Sequence, residues 1–191
     1  MIRILAFAGS ARKNSFNKAI LKIAAQGAVD AGAKVTIVDL ADFPLPIMDE
    51  DLEAQSGIPA NAQKFKQLMM EHDGFLIASP EHNSAYSALL KNTIDWASRR
   101  AEGEKPLEVF KGKMAGIMAA SPGALGGLRG LVSLRMLLEN LGVMVLPNQK
   151  AVSKVSALIN EQGGIDDEQT IAGLKRIGKE LTETLAKLNR Q

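Results

Sequence analysis

The chain has 191 residues, of which 46% are hydrophobic and 23% are charged, and its formal net charge is +2. This length and composition predict one globular domain, residues 1–191, with a well-buried core. The scattered basic residues do not form the electrostatic footprint of a nucleic-acid-binding protein. No apolar run approaches the roughly eighteen residues of a membrane-spanning helix. We therefore expect a cytoplasmic protein without nucleic-acid or membrane partners.

The composition also limits the available chemistry. The sequence has no cysteine and two histidines. These numbers exclude disulfides, thiolate nucleophiles and cysteine metal sites, and they argue against a zinc site. We therefore predict no metal, and we expect any chemistry to depend on a borrowed cofactor or on none.

The first predicted unit, Ile2 to Asn17, is a strand followed by a loop and a helix N-terminus. Such a terminus leaves N–H groups unpaired at the positive end of the helix dipole, so the loop before it can bind a phosphate. Ser10 and Ser15 add hydroxyl donors, Asn17 adds an amide, and Arg12 adds a cation. From this loop alone, a helix capped by Ser15, with Arg12 in a solvated turn, explains the pattern equally well.

The rest of the chain alternates helical and extended patterns. Apolar residues recur at helical spacing in five segments, at about 16–32, 60–71, 88–98, 131–141 and from 168 onward. Short apolar or β-branched runs predict strands at 2–8, 34–40, 74–79, 113–120 and 142–146. The last helix carries one apolar stripe, which we interpret as core packing.

A proline-bounded segment from Phe43 to Pro59 separates the second strand from the second helix. It holds an acidic cluster, Asp49, Glu50, Asp51 and Glu53. Carboxylates in such a cluster can act in acid–base catalysis or bind a hard metal ion. The polar surroundings favour a solvated loop instead.

Alternating strands and helices predict an α/β three-layer sandwich, a five-stranded parallel sheet with helices on both faces. Three loops of unusual composition follow the first, third and fourth strands, at 9–17, 80–84 and 121–130. In the strand order 2-1-3-4-5 they meet beyond the carboxyl ends of the strands, where such sheets bind ligands. This convergence favours a binding site over a solvated turn. The glycines of the third loop suit close approach of a flat ligand or, alternatively, a flexible connection.

These motifs resemble the NADPH-dependent FMN reductase family, flavodoxin-like proteins that include small quinone, azo-dye and chromate reductases. Gly9-Ser10-x-Arg12-x-x-Ser15-x-Asn17 is similar to the phosphate loop of that family, and Pro80-Glu81-His82-Asn83-Ser84 to its Pro-Glu-Tyr-Asn loop. Residues 90–96 resemble the helix that follows, and residues 122–129 resemble the third flavin loop. The resemblance covers most of the chain.

The resemblance implies a flavodoxin-like fold that binds FMN and uses NADPH or NADH as co-substrate. It implies an NAD(P)H-dependent FMN or quinone reductase in which hydride passes from the nicotinamide to flavin N5 and then to a quinone-like acceptor. The flavin carries the chemistry, so we expect ping-pong kinetics and no catalytic side chain. The implied cofactor-binding residues, from the phosphate to the ring, are Ser10, Arg12, Ser15, Phe16, Asn17, Pro80, Glu81, His82, Asn83, Ser121, Gly123 and Gly126.

His82 departs from the family pattern, which has a tyrosine at this position. An imidazole still offers a flat face and a hydrogen bond, but it gives less stacking area and can become charged near neutral pH. Alternatively, His82 is a turn residue that points to solvent. For the 2′-phosphate of NADPH, the candidate cations are Arg99, Arg100 and Arg129.

Two other functions stay open at this stage: a flavodoxin-type electron carrier and a flavin-free binding or regulatory protein on the same fold. Electron carriers of this type are usually strongly acidic and lack an arginine in the phosphate loop, whereas this chain is nearly neutral and has Arg12. The first strand also lacks the acidic pair of a response regulator. No GxGxxG motif of a dinucleotide-binding site follows it.

The helices at Leu89 to Ala97 and Leu128 to Leu141 carry more apolar residues than one strand can cover. This excess predicts burial between subunits, as in a homodimer or a homotetramer. Trp96, the only tryptophan, lies either in the core or at that interface, and the core is the default.

Overall fold

A parallel sheet with helices on both faces forms the centre of the computed structural model, which describes residues 1–189. The strands are β1 Arg3–Ala8, β2 Lys34–Asp39, β3 Gly74–Ala78, β4 Glu81–His82, β5 Ala85–Tyr86, β6 Met114–Ala120, β7 Met144–Val145 and β8 Lys150–Val152. The helices are α1 Phe16–Asp30, α2 Glu50–Ser56, α3 Ala60–Glu71, α4 Ala88–Ser98, α5 Leu128–Asn140 and α6 Glu168–Leu188. The main sheet has the order β2-β1-β3-β6-β7, which confirms the predicted 2-1-3-4-5 arrangement.

The central strands are buried on both faces, as parallel strands covered by helices must be. Every residue of β3 and β6 is buried. Along β1 the side chains alternate between two hydrophobic clusters: Ile4 and Ala6 pack with α1 and α6, whereas Leu5 and Phe7 pack toward α3, α4 and α5. The Phe7 ring meets the Phe65 ring edge to face, with 5.2 Å between their centroids. The sheet therefore separates two hydrophobic layers.

Helices α1 and α6 touch through their backbones. A Cβ atom added to Gly27 would lie 2.1 Å from the Lys175 carbonyl oxygen, and one added to Gly178 would lie 2.0 Å from the Ala24 carbonyl oxygen. Neither position has room for a side chain. The predicted stripe of α6 is confirmed as core packing, because Leu174, Ile177, Leu181 and Leu185 are all buried.

The predicted fifth strand is split into two short pieces. Strand β7 pairs with the start of β6 through Met144 and Val145, whereas β8 pairs with its end through residues 150–152. The intervening segment contains Pro147, which has no N–H to donate to a ladder. The Arg135 guanidinium occupies this gap and donates to the carbonyl oxygens of Val145 and Leu146 at 3.2 and 2.8 Å.

The acidic segment differs from the predicted solvated loop, because residues 50–56 form α2. Its helical start follows from Asp49, whose Oδ1 accepts from the N–H groups of Asp51 and Leu52 at 2.8 and 3.1 Å. Glu53 then pairs with Arg99 at 2.6 Å. Asp49, Glu50 and Asp51 stay exposed to solvent as predicted, but the segment is a helix that Asp49 caps and Glu53 anchors.

Trp96 lies in the core, which confirms the default prediction. Its Nε1 donates to the Pro46 carbonyl oxygen at 2.8 Å, and Leu90, Ile94 and Ala97 of the same helix are buried beside it. These apolar side chains of α4 are already covered within the chain, so they do not require the second subunit that the sequence pattern suggested for this helix. On α5 and the turn before it, an apolar face does stay exposed.

Within residues 1–189, no helix combines the length and the apolar character required for a transmembrane span.

Two alanine substitutions on α6 test the close contact between α1 and α6. We expect Gly178→Ala to lower the free energy of unfolding by about 2–3 kcal/mol, because the new methyl group overlaps the α1 backbone. Gly173→Ala on the same helix meets only the flexible end of the Lys150 side chain, so the better helix propensity of alanine should raise stability by up to about 1 kcal/mol. Urea denaturation of both variants measures the two values. Equal effects of the two substitutions would contradict the backbone contact.

Candidate functional site

The three predicted loops meet around one cavity of about 690 Å³ at the carboxyl ends of β1, β3 and β6. Its walls contain nine of the twelve site residues predicted from the sequence: Ser10, Arg12, Ser15, Phe16, Asn17, Pro80, Glu81, His82 and Ser121. The prediction that these loops converge is confirmed by this geometry. Asn83, Gly123 and Gly126 do not line the cavity.

The first wall is the start of α1. Ser15 is the N-cap, and its Oγ accepts from the Lys18 N–H at 3.4 Å. The N–H groups of Ser15, Phe16 and Asn17 make no hydrogen bond within residues 1–189. The Arg12 guanidinium lies 5.0 Å from the centroid of the Phe16 ring, which holds the cation beside these donors. Capping by Ser15 and anion binding are therefore compatible, because the cap uses one oxygen and leaves the N–H groups for a ligand.

Asn17 ties this wall to the end of β6. Its Nδ2 donates to the Ala120 carbonyl oxygen at 3.1 Å, and its Oδ1 accepts from the Ala120 N–H at 3.0 Å. The side chain is 3% exposed. The sequence predicts Asn17 as a phosphate ligand, but in the structure its carboxamide joins two loops that are 103 residues apart in the chain.

Ser87, which the sequence analysis missed, joins the first wall to α4. Its Oγ donates to the Gly9 carbonyl oxygen at 2.6 Å and accepts from the Leu90 N–H at 3.2 Å. The contact requires glycine at position 9, because a Cβ there would lie 2.7 Å from Ser87 Oγ. A serine directly before an apolar helical pattern is an N-cap signal, so the sequence did offer a clue.

The second wall is a β-hairpin, although the sequence pattern predicts only a loop at residues 80–84. Strands β4 and β5 pair antiparallel, and the turn residues Asn83 and Ser84 have φ values of 51° and 67°. Positive φ at both central positions is the mark of a two-residue type I′ turn. Asn83 is thus exposed at the tip of the turn, while His82 lies at the rim of the cavity.

Glu81 fixes this hairpin to α5. Its Oε1 accepts from Arg129 Nε at 3.0 Å and from Nη2 at 2.8 Å, and its Oε2 accepts from the Gly130 N–H at 3.1 Å. Burial raises the pKa of the Glu81 carboxyl, but the hydrogen bonds from Gly130 and Arg129 lower it by more. Its pKa therefore lies below the ordinary value, and at neutral pH the group is a carboxylate held by α5.

The third wall follows β6. The Ser121 N–H donates to the Val152 carbonyl oxygen at 3.1 Å, and its Oγ accepts from the Gly123 N–H at 3.0 Å. Gly126 has φ +62°, and a Cβ there would lie 2.6 Å from the Ser153 nitrogen. This loop is therefore held against β8, and Gly126 shapes it without reaching the cavity.

Two of the three arginines proposed for a 2′-phosphate are paired with carboxylates, and the third donates to a carbonyl oxygen. Arg99 pairs with Glu53 at 2.6 Å, and Arg129 pairs with Glu81. Arg100 Nε donates to the Glu104 carbonyl oxygen at 2.7 Å. None of the three lines the cavity.

The donor set of the cavity suits an oxyanion such as a phosphate. Unpaired N–H groups, hydroxyls and a guanidinium all donate hydrogen bonds, and they lie at the positive end of a helix dipole. In the part of the chain that the structure describes, no three His, Asp or Glu side chains are grouped to hold a metal ion. The fold and the site together define a flavodoxin-like protein with a nucleotide-sized cavity at the switch point of its sheet.

Comparison with solved structures agrees with this fold. A flavoenzyme NAD(P)H:(acceptor) oxidoreductase from Paracoccus denitrificans superimposes with a TM-score of 0.78 at 24% identity, covering 98% of each chain. A flavodoxin from an archaeon superimposes with a TM-score of 0.62 at 10% identity.

Comparison of sequences identifies the family. Residues 2–157 match the family described as NADPH-dependent FMN reductase, and the chain belongs to this family. It is 34% identical over 169 residues to an NAD(P)H-dependent FMN reductase of Pseudomonas aeruginosa, covering 88% of this chain and 86% of that one. It is 30% identical over 173 residues to a quinone reductase of Escherichia coli, covering 86% and 88%.

Membership of this family confirms the predicted enzyme class. The protein is an oxidoreductase with FMN as cofactor and NAD(P)H as hydride donor. The electron-carrier and flavin-free alternatives are not favoured, because the matched family and these relatives are reductases.

The link between Asn17 and Ala120 makes a prediction about stability. Asn17→Ala leaves the buried N–H and carbonyl groups of Ala120 without partners, so we expect the free energy of unfolding to fall by about 2–4 kcal/mol. Asn14→Ala in the same loop is the control, because Asn14 is exposed. Urea denaturation compares the two variants. Loss of less than about 1 kcal/mol for Asn17→Ala would show that this link does not hold the loops together.

Proposed function

We propose that the protein is an NAD(P)H-dependent reductase that binds FMN in the 690 Å³ cavity and passes electrons to a quinone-like acceptor. The observation that supports this proposal most strongly is the convergence of three loops, one of which presents unpaired N–H groups and Arg12. A cavity of this size at this edge of the sheet suits a nucleotide cofactor.

At the phosphate end, we assign the binding to the start of α1. Ser10, Ser15 and the backbone N–H groups donate hydrogen bonds to the phosphate, and Arg12 adds a charge-assisted bond. Phe16 positions Arg12 through the contact between its ring and the guanidinium. Asn17 contributes its backbone N–H, while its side chain keeps the loop in register with β6.

At the ring end, the hairpin and the loop after β6 form opposite walls. Pro80, Glu81, His82 and Ser121 lie along these walls. Glu81 acts by holding the hairpin against α5, because its carboxylate is already occupied by Arg129 and Gly130. Asn83, Gly123 and Gly126 do not line the cavity. They shape its walls by fixing the conformations of the hairpin turn and of the loop after β6.

The cavity offers no pair of free acid and base side chains, which agrees with chemistry carried by the cofactor. Bound FMN would supply the redox chemistry: a hydride from the nicotinamide would reduce it, and its two electrons and one proton would pass to a quinone whose second proton would come from water. The residues of this chain bind and orient the cofactor. Because the nicotinamide and the acceptor would use the same site one after the other, we expect ping-pong kinetics.

The quinone-like acceptor is a proposal supported by the name of the E. coli relative, which is a quinone reductase. The exposed position of His82 at the rim is compatible with a flat acceptor entering from solvent. The cytoplasmic location stays a prediction.

A spectroscopic titration tests the proposed function. We expect the purified protein, supplied with FMN and desalted, to keep a flavin absorption band that bleaches when NADPH is added without oxygen. Adding benzoquinone should restore the band, because the quinone removes the electrons. A retained band that survives both NADPH and NADH would indicate an electron carrier. Failure to retain or bind FMN would overturn the assignment of the cavity.

The Arg12→Ala variant connects this experiment to the proposed phosphate site. Loss of one charge-assisted hydrogen bond should weaken FMN binding by roughly 1.5–3 kcal/mol. Arg3→Ala is the matched control, because Arg3 begins β1 at the opposite end from the cavity. Unchanged affinity in Arg12→Ala would remove Arg12 from the phosphate site and leave the reductase assignment in place.

We also propose that the protein forms a homodimer or a homotetramer through α5. The support is an apolar face in which each side chain is between 43 and 63% exposed, formed by Leu125, Leu128, Val132 and Met136. Such a continuous apolar surface is typical of an interface. The proposed partner is a second copy of the chain. In an isologous interface, the same face of each of the two subunits would be in contact.

Sedimentation velocity tests this oligomer with charge substitutions. We expect the native protein to sediment as a dimer or tetramer, and Val132→Lys/Met136→Lys to shift it to a monomer by placing charges in an apolar contact. Ile47→Lys is the control, because Ile47 is an exposed apolar residue outside this face. A native protein that stays monomeric at all concentrations, or an oligomer that survives the double substitution, would contradict the proposed face.

A further inference from the structure

A second cavity of about 670 Å³ lies beside the proposed FMN cavity. One side is the outer face of α1, and the other is the loop of residues 159–165 between β8 and α6. Ser15 and Phe16 line both cavities, so the two share a wall. The proposed FMN site does not account for this second space.

One edge of this second cavity is basic. Lys13, Lys18 and Lys22 line it, and among the described residues that line it Glu161 is the one acid. Lys18 is neutralised by Asp39, with 2.5 Å between Nζ and Oδ2. Lys13 and Lys22 are exposed and form no salt bridge within residues 1–189. Two ammonium groups are therefore available to an anionic ligand.

The floor of the second cavity is apolar, and the loop opposite α1 is ordered. Ile23, Ile159 and Ile165 line the floor. Asn160 Oδ1 accepts from the N–H groups of Gln162 and Gly164 at 3.1 and 2.8 Å, which fixes the loop. A preformed apolar floor with polar amides at the edge suits a flat heterocycle, and lysines act as point-charge binders of phosphate.

The position of the basic edge relative to the FMN site follows from helix geometry. Lys22 lies seven residues after Ser15 on α1, which places its backbone about 10 Å from the phosphate loop. Of the arginines that the sequence suggested for a 2′-phosphate, Arg99 and Arg129 are paired with Glu53 and Glu81, and none of the three lines either cavity. Lys13 and Lys22 are thus the uncommitted cations that border a cavity adjoining the proposed FMN site.

We propose that this second cavity binds the adenosine 2′-phosphate end of NADPH, with Lys22 and Lys13 contacting the 2′-phosphate. The adenine would pack on the isoleucine floor. The proposal rests on the proposed function, because it assumes that the nicotinamide end of the same molecule reaches the adjoining FMN cavity. It predicts a preference for NADPH over NADH and assigns that preference to two lysines.

Kinetics with both nucleotides test this assignment in the FMN-loaded protein. We expect Lys22→Gln to raise KM for NADPH by roughly tenfold through loss of one charge-assisted contact, with kcat unchanged. KM for NADH should stay within roughly twofold, because NADH lacks the group that Lys22 contacts. Lys64→Gln is the control with the same change in charge, because Lys64 is exposed on α3 and does not line this cavity.

Three kinetic results would overturn the inference while leaving the reductase assignment intact. These are equal KM values for NADPH and NADH in the native protein, equal effects of Lys22→Gln on both nucleotides, and no effect on either.

Calorimetry separates this inference from the proposed function, because it requires no turnover. We expect adenosine 2′,5′-bisphosphate to bind the native protein more tightly than 5′-AMP, and this difference to disappear in Lys22→Gln. If the protein fails to reduce anything but shows this difference, the cavity assignment stands and the proposed function fails. Equal binding of the two probes, or no binding, overturns the cavity assignment whatever the activity.

Discussion

The paired hydrogen bonds between Asn17 and Ala120 are the constraint on which the rest of the site depends. They join the first turn of α1 to the end of β6 across 103 residues of chain. The pairing of β1, β3 and β6 brings the two loops to the same edge of the sheet, and this link fixes the first turn of α1 directly against the start of the third loop. Because the carboxamide is buried, the bonds do not compete with water, and breaking them leaves backbone groups unsatisfied. One side chain thus turns two loops into two walls of a cavity.

The hairpin wall is held by a different kind of contact, the carboxylate of Glu81 on Arg129 and Gly130. The same helix, α5, carries the exposed apolar face. A single helix therefore anchors one wall of the proposed FMN cavity on one side and offers the proposed subunit interface on the other. Burying that face between copies would stiffen the hairpin anchor, because both depend on the position of α5.

Much of the fold and of the site could be predicted from the sequence, whereas three local features were missed. Apolar runs and helical spacing predicted the strands and helices, and the unusual composition of the loops after three strands pointed to the strand order in which those loops converge. The hairpin was missed because Asn83 and Ser84 adopt positive φ without glycine. Helix α2 was missed because Asp49 acts as its cap within a segment that reads as solvated. The split of the fifth strand was missed because it involves Pro147 together with the Arg135 guanidinium, which lies on the preceding helix and donates to the carbonyl oxygens of Val145 and Leu146.

Local pattern and order along the chain were sufficient to predict the alternation of strands and helices, the three loops that meet at the cavity and the resemblance to a family. Only the tertiary structure decided which charges are free. Arg99 and Arg129 form salt bridges with carboxylates from other segments, whereas Lys22 lines a cavity. Pairing of charges depends on which elements pack together, and the linear pattern of one chain does not contain that information.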